Sequence, residues 1–479
     1  MPTKSKNQKI KKSKLTIERK SCWSVWGDET KKQAFDFSEG YKQFLDNSKT
    51  ERETVREGIR LAKENGFIDW EDFKKTAGNL TSKELAGKKI YFINREKSLF
   101  LTILGKKDLS HGINMLIAHV DSPRLDLKVN PLYEDEELAY FKTHYYGGIK
   151  KYQWPTIPLA MHGVIINSSG EKINICIGEK DDDPIFMITD LLPHLGKEQM
   201  KKTLDIAIEG EELNILLGSI PVKDSKIKEK VKYAILKYLN KEYGLIEEDF
   251  LSAEIQMVPA QKAKDLGFDR SLIAGYGHDD RSNAYSALRA ILDVKNCEKT
   301  LMTVFIDKEE IGSDGSSSMK SLFLENIIEK LITITNSKCS VIDLFSQSKV
   351  LSVDGTVGYD PDYKQVCDSR NTARINHGVV IEKYTGHGGK FCASEASAEF
   401  TREVRNIFNN NNKIVWQTGG MGKVDQGGGG TIASYLANRN VDVIDCGVPM
   451  FNVHAPMEII GKGDLYSAYL AYGAFLREA

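Results

Sequence analysis

The run Ile113-Asn114-Met115-Leu116-Ile117-Ala118-His119-Val120 decides how this chain folds. It is almost unbroken in apolar residues and then turns polar at His119 and Asp121. A strand that is apolar towards both of its faces belongs in a sheet covered on both sides. Leu301-Met302-Thr303-Val304-Phe305-Ile306 has the same character and ends in Asp307-Lys308-Glu309-Glu310. Between these two runs, residues 281–294 place Ala284, Leu288 and Ile291 at helical spacing. A helix followed closely by a buried strand is half of a βαβ unit.

Working outward, 89–94, 98–104 and 441–446 read as further strands, and 28–67, 396–407, 431–438 and 464–476 as helices. The two flanks, 21–130 and 265–479, therefore form one discontinuous α/β domain, a central sheet flanked by helices. The middle is different. In 131–264 only short β-like pieces occur, at 160–166, 172–177 and 254–258. Polar stretches and a charged helix at 226–239 lie between them, so this segment reads as a smaller, inserted, β-rich domain.

Composition excludes several classes. With 479 residues, 41% hydrophobic and 28% charged, the profile is globular, with core enough for two or three domains. A formal net charge of -1 offers no general attraction for nucleic acid or an anionic membrane. No apolar stretch is long enough to span a bilayer. Residues 1–20 form a basic arm (Lys4, Lys6, Lys9, Lys11, Lys12, Lys14, Arg19, Lys20) that is expected to be disordered and lacks the apolar centre of a secretory signal. The 7 cysteines are scattered, with no C-x-x-C pair, which fits a reducing cytoplasm.

Polar residues cluster just after the apolar strands, where open α/β sheets carry their sites. They are His119-Val120-Asp121, Asp279-Asp280-Arg281, Asp307-Lys308-Glu309-Glu310, Val353-Asp354 and Val453-His454. Singly, each has a plain structural explanation; Asp279 and Asp280 could simply cap a helix. Together, two histidines and three carboxylates suit a pair of borderline divalent ions such as zinc. A carboxylate shared by two ions holds them roughly 3.5–4 Å apart over one bridging water, and a carboxylate that is not a ligand can take that water's proton. The adjacent Glu309 and Glu310 suit these two jobs. Asp121 is spaced to accept the His119 ring N–H and orient it.

These motifs resemble the aspartyl aminopeptidase / aminopeptidase I family of dinuclear zinc metallopeptidases. The likeness rests on Ala118-His119-Val120-Asp121-Ser122-Pro123, Tyr146-Gly147-Gly148, Asp279-Asp280-Arg281, Asp307-Lys308-Glu309-Glu310-Ile311-Gly312-Ser313, Gly428-Gly429-Gly430-Thr431-Ile432 and Met450-Phe451-Asn452-Val453-His454-Ala455-Pro456-Met457-Glu458, in order along nearly the whole chain. It implies an α/β fold of zinc-aminopeptidase type, a mixed central sheet with an inserted β-rich dimerisation domain. It implies His119, Asp279, Glu310, Asp354 and His454 as metal ligands, with Asp279 bridging two Zn2+ ions, and Glu309 as general base. It further implies dimers assembling into a dodecamer, with an inserted-domain histidine, aligned here with His194, reaching a neighbouring subunit's active site.

Three segments depart from the family's pattern: Trp154-Pro155-Thr156-Ile157-Pro158-Leu159, Gly355-Thr356-Val357-Gly358-Tyr359-Asp360-Pro361-Asp362, and Ala455-Pro456-Met457-Glu458. The ligand and base positions survive all three, but a preference for an acidic N-terminal residue does not carry over. Mn2+ or Co2+ would also satisfy the donor set. Gly386-His387-Gly388-Gly389-Lys390 is a candidate lining for a specificity pocket. The expected activity is removal of the N-terminal residue from peptides. The alternatives are a two-metal deacetylase or carboxypeptidase, and a non-catalytic assembly or cargo protein.

Overall fold

A nine-stranded mixed sheet forms the centre of the molecule, in the order Ile68–Asp69, Lys89–Asn94, Ser98–Ile103, Thr300–Ile306, Ile113–His119, Lys349–Ser352, Asp442–Gly447, Val379–Glu382, Trp416–Thr418. The computed structural model describes residues 15–78 and 80–479. Most of the basic arm expected at 1–20 lies outside the described residues. Among the described residues, no helix is long and apolar enough to cross a membrane.

The continuous apolar pattern of Ile113–His119 has the predicted cause. Met115 and Ile117 pack with Met302, Val304 and Ile306 on one face. Leu116 and Ala118 join Leu301 and Phe305 on the other. Ile327, Ile328 and Leu331 of the helix Phe323–Thr335 cover the first face. The second is covered by Ala284, Leu288 and Ile291 of His278–Leu292 and by Ala468, Ala471, Tyr472 and Phe475 of Lys462–Glu478.

Register sets the site's position. Ile113–His119 pairs in parallel with Thr300–Ile306 on one side, matching His119 to Ile306, and with Lys349–Ser352 on the other, matching Ile117 to Ser352. The chain therefore leaves all three parallel strands at one edge, placing His119, Glu309 and Asp354 together.

The helical expectation at 28–67 resolves into two helices, Asp28–Asp46 and Glu51–Glu64. Thr50 restarts the second through a capping box with Glu53, which ends the first pattern without a proline or glycine.

A six-stranded antiparallel sheet is built from Lys172–Ile177, Leu159–Ile166, Ala253–Pro259, Arg124–Asp135, Leu138–Tyr146 and Ile215–Gly218, in that order. The border expected between 130 and 131 falls inside the strand Arg124–Asp135. That strand hides in the sequence for two reasons. Leu125 is buried while Asp126, Lys128 and Asn130 face outward, and its hairpin turns through Glu136 and Glu137 at positive φ. Acidic residues there replace the usual Asn-Gly signal. A third sheet of five short strands, Lys264–Leu266, Leu272–Gly275, Glu458–Gly461, Pro449–Phe451 and Thr356–Val357, was not anticipated. It links the approach to Asp279 with the loop bearing His454.

Leu288 is fully buried between the central sheet and the C-terminal helix. Leu288→Ala should lower the free energy of unfolding by about 2–5 kcal/mol, read from urea unfolding of the metal-loaded protein.

Candidate metal centre

Asp279 stands where two histidines from opposite ends of the chain converge. Its Oδ1 lies 3.3 Å from His119 Nε2, and its Oδ2 lies 3.5 Å from His454 Nε2. Each histidine also meets a second carboxylate: His119 Nε2 is 3.8 Å from Asp354 Oδ1, and His454 Nε2 is 3.3 Å from Glu310 Oε2. The result is two half-sites sharing Asp279. Donor atoms of His119, Asp279 and Glu310 all fall within 4.8 Å of one another, as do those of His119, Asp280 and Asp354. Asp280 was read from sequence only as a possible cap. The helix instead begins at His278, with no side-chain cap, and Asp279 and Asp280 depart from helical geometry.

Both imidazoles are oriented by main-chain carbonyls. His119 Nδ1 lies 3.0 Å from the Asp121 carbonyl, and His454 Nδ1 lies 2.8 Å from the Gly148 carbonyl. A ring that donates its Nδ1 proton this way leaves the Nε2 lone pair for a cation. Asp121 was expected to orient His119 through its carboxylate, but that group is 3.5 Å away. Its nearer work is elsewhere. It accepts from the main-chain N–H of Glu309 (3.1 Å) and Glu310 (3.2 Å) and from the Tyr146 hydroxyl (2.7 Å).

The electrostatics call for added positive charge. Burial pushes the carboxyls of Glu310 and Asp354 well above the usual range. Burial also pushes Glu309 up to about 7. For His454 burial opposes the charge, but Asp279 and Glu310 outweigh it and hold the ring up at about 10. Buried acids that must be neutralised mark a functional cluster. Glu310 Oε1 and Asp280 Oδ2 are buried without a hydrogen-bond partner. Nitrogen and oxygen donors with orphaned buried oxygens fit zinc or a similar divalent ion.

Three residues quoted in the motifs without a role have one here. Glu458 accepts from the Asp279 N–H at 3.0 Å through Oε2 and from the His454 N–H at 2.8 Å through Oε1, tying two ligand segments together. Tyr146 braces Asp121. The signal for both was their place inside blocks that already carried ligands. Ser122, in the His119 block, similarly donates to the Asp279 carbonyl at 2.8 Å.

One other expected residue and one expected loop stand apart. His194 sits on an exposed turn and contacts none of the cluster among the described residues. The 386–390 loop, with 418–429, lines a cavity of about 320 Å³ that none of the cluster residues reaches.

Comparison with known proteins bears on what such a centre does. The sequence profile of the family described as "Aminopeptidase I zinc metalloprotease (M18)" matches residues 44–476. The probable M18 family aminopeptidase 1 of Clostridium acetobutylicum is 48% identical over 464 residues, covering 96% of this chain and 99% of that one. The crystal structure of an M18 family aminopeptidase from Thermotoga maritima superposes with a TM-score of 0.91 at 43% identity, covering 97% of this chain and 100% of the other. The S. cerevisiae mApe1 dodecamer shares the fold at 19% identity and a TM-score of 0.71, covering 92% of this chain and 96% of that chain. The deacetylase, carboxypeptidase and cargo alternatives find no support in these likenesses. The chain belongs to the aminopeptidase I (M18) family of zinc metalloproteases, and it is a zinc aminopeptidase.

Proposed function

We propose that the chain cleaves the N-terminal residue from peptides at a two-ion centre. His119, Asp354 and Asp279 would hold one ion, and His454, Glu310 and Asp279 the other. The observation that carries this reading is the division of Asp279, whose two oxygens face two separate histidine–carboxylate pairs. When bound, Zn2+ (or Mn2+ or Co2+) supplies Lewis acidity, polarising the scissile carbonyl and lowering the pKa of the attacking water.

The chain's own groups do the rest. Glu309 is the general base. Among the described residues its carboxylate has no ion-pair partner, unlike Glu310, and burial places it near neutrality. It takes the proton from the attacking water and hands it to the leaving amine nitrogen. Asp121 fixes the main chain of Glu309 and Glu310, so the base and the ligand hold different directions from adjacent positions. The acidic surroundings favour the substrate's free α-ammonium group, which limits cleavage to the first residue.

Assembly into dimers and then a dodecamer is the second part of the reading. Around His194, Leu191, Leu192, Leu195, Met200, Leu204 and Ile206 are all at least half exposed, more apolar surface than a lone subunit ordinarily shows. A second copy would cover it and could carry His194 to a neighbouring centre. All 7 cysteines are free, in keeping with a reducing cytoplasm.

Glu309→Gln should lower kcat by about a hundred- to ten-thousand-fold while bound zinc stays at the wild-type level; full turnover in the zinc-loaded variant would remove Glu309 as base. Glu458→Gln loses one carboxylate acceptor and should weaken metal affinity or activity by about 10- to 100-fold, read by titration in a zinc buffer. Native mass spectrometry should find a dodecamer, and His194→Ala should lower kcat without changing that mass or the zinc content.

A further inference from the structure

A second cluster of metal-ligating side chains lies away from the catalytic centre, where the helix Glu51–Glu64 meets the six-stranded sheet. His162 and Cys176 are direct partners across the antiparallel strands Leu159–Ile166 and Lys172–Ile177, so their side chains share one face. Glu53 reaches them from the first turn of the helix. One donor atom from each of the three lies within 4.8 Å of the other two. His162 Nδ1 is 2.9 Å from Glu53 Oε1, and its Nε2 is 3.1 Å from Glu179 Oε1. The two Glu53 oxygens divide their work: Oε2 accepts from the Thr50 N–H at 3.1 Å in the capping box, leaving Oε1 for the cluster. Glu53 and His162 are buried, at 8% and 2% exposure, whereas Cys176 is exposed. All four residues line a cavity of about 710 Å³ that opens to solvent and gives an ion a way in.

We propose that Glu53, His162 and Cys176 form a sulfur-containing zinc site that ties the helix Glu51–Glu64 to the six-stranded sheet. Thiolate, imidazole and carboxylate are donors zinc takes, and a water from the open cavity would fill the fourth position of the tetrahedron. Without the ion, a protonated His162 bridges the two carboxylates as a plain ion-paired triad. Zinc would displace that proton and the Cys176 thiol proton into solvent, as metal binding to such ligands does. The neighbouring cations leave room. Arg56, 3.6 Å from Glu53, is 61% exposed and free to swing outward. Lys49, 3.9 Å from Glu179, is already committed to the carbonyls of Pro259 and Gln261.

Sulfur separates this site from the catalytic one, whose donors are all nitrogen and oxygen. The full-length protein, stripped of metal and reloaded with Co2+, should show a near-ultraviolet thiolate-to-cobalt charge-transfer band. Cys176→Ser should remove the band and one equivalent of bound metal, while leaving the visible absorption of the nitrogen- and oxygen-ligated cobalt in place. His162→Asn should remove the same equivalent. Wild-type protein without the band, or a band that persists undiminished in Cys176→Ser, overturns the proposal.

Discussion

The structure depends on a concentration of buried negative charge that the protein does not neutralise by itself. Asp279, Glu310 and Asp354 converge, yet among the described residues no lysine or arginine forms an ion pair with any of them. Only two histidines face them. Unit charges about 4 Å apart interact with about 4 kcal/mol at the effective dielectric of a protein surface, so several unscreened carboxylates cannot all stay ionised together. Without metal, the cluster must hold protons, which is what the raised carboxyls of Glu310 and Asp354 describe. Divalent ions replace those protons with a charge of fixed position. The same deficit therefore explains both why the site is held so rigidly and why it binds metal.

The fold meets this constraint by distributing the ligands over separate elements and then locking them with uncharged or already satisfied groups. Three ligand segments leave parallel strands at one sheet edge, through a register that the apolar packing on both faces fixes. The other two, Asp279 and His454, both follow strands of the five-stranded sheet, His454 on a residue at positive φ. Strand packing cannot set that loop's distance from Asp279. Glu458 does so, holding both main chains through one carboxylate. Asp121 performs the matching task for Glu309 and Glu310. Two buried carboxylates, Glu458 and Asp121, thus position the segments of the acidic cluster.

What the sequence reveals follows from how each signal is made. The central strands are legible because burial on both faces leaves a continuous apolar run, and the ligands are legible because such strands end in polar residues. The hairpin from Arg124 to Tyr146 is not legible as a domain start, since one-sided burial mixes polar with apolar residues and its turn carries no glycine or asparagine. The short strands of the third sheet are too brief to show a period. At the site, residue types and spacing point to the side chains that cluster, but not to Glu458, whose contacts are two main-chain N–H groups that sequence cannot bring together. Asp121 does place its carboxylate beside the His119 ring, 3.5 Å from Nδ1. Its carbonyl, a group every residue has, turned out to be the nearer acceptor for His119.

The three carboxylate-facing histidines show how orientation separates possible functions. His119 and His454 each give Nδ1 to a carbonyl and present Nε2 to carboxylates, so one nitrogen is spent on aim and the other is left for a cation. His162 spends neither on a carbonyl: both of its nitrogens face carboxylates. Burial opposes the charge, but contacts with Cys176, Glu179 and Glu53 outweigh it and hold the imidazole up at about 11. A ring in that setting is ordinarily a cation locking two acids together. What distinguishes His162 is the thiol directly across the strand pair, a donor that a proton-mediated lock does not need. In an ion-paired triad of Glu53, His162 and Glu179, Cys176 does no more than contact the imidazole. A zinc ion would use Glu53, His162 and Cys176 together, and where the helix meets the six-stranded sheet it would replace a proton shared among acids with a fixed charge.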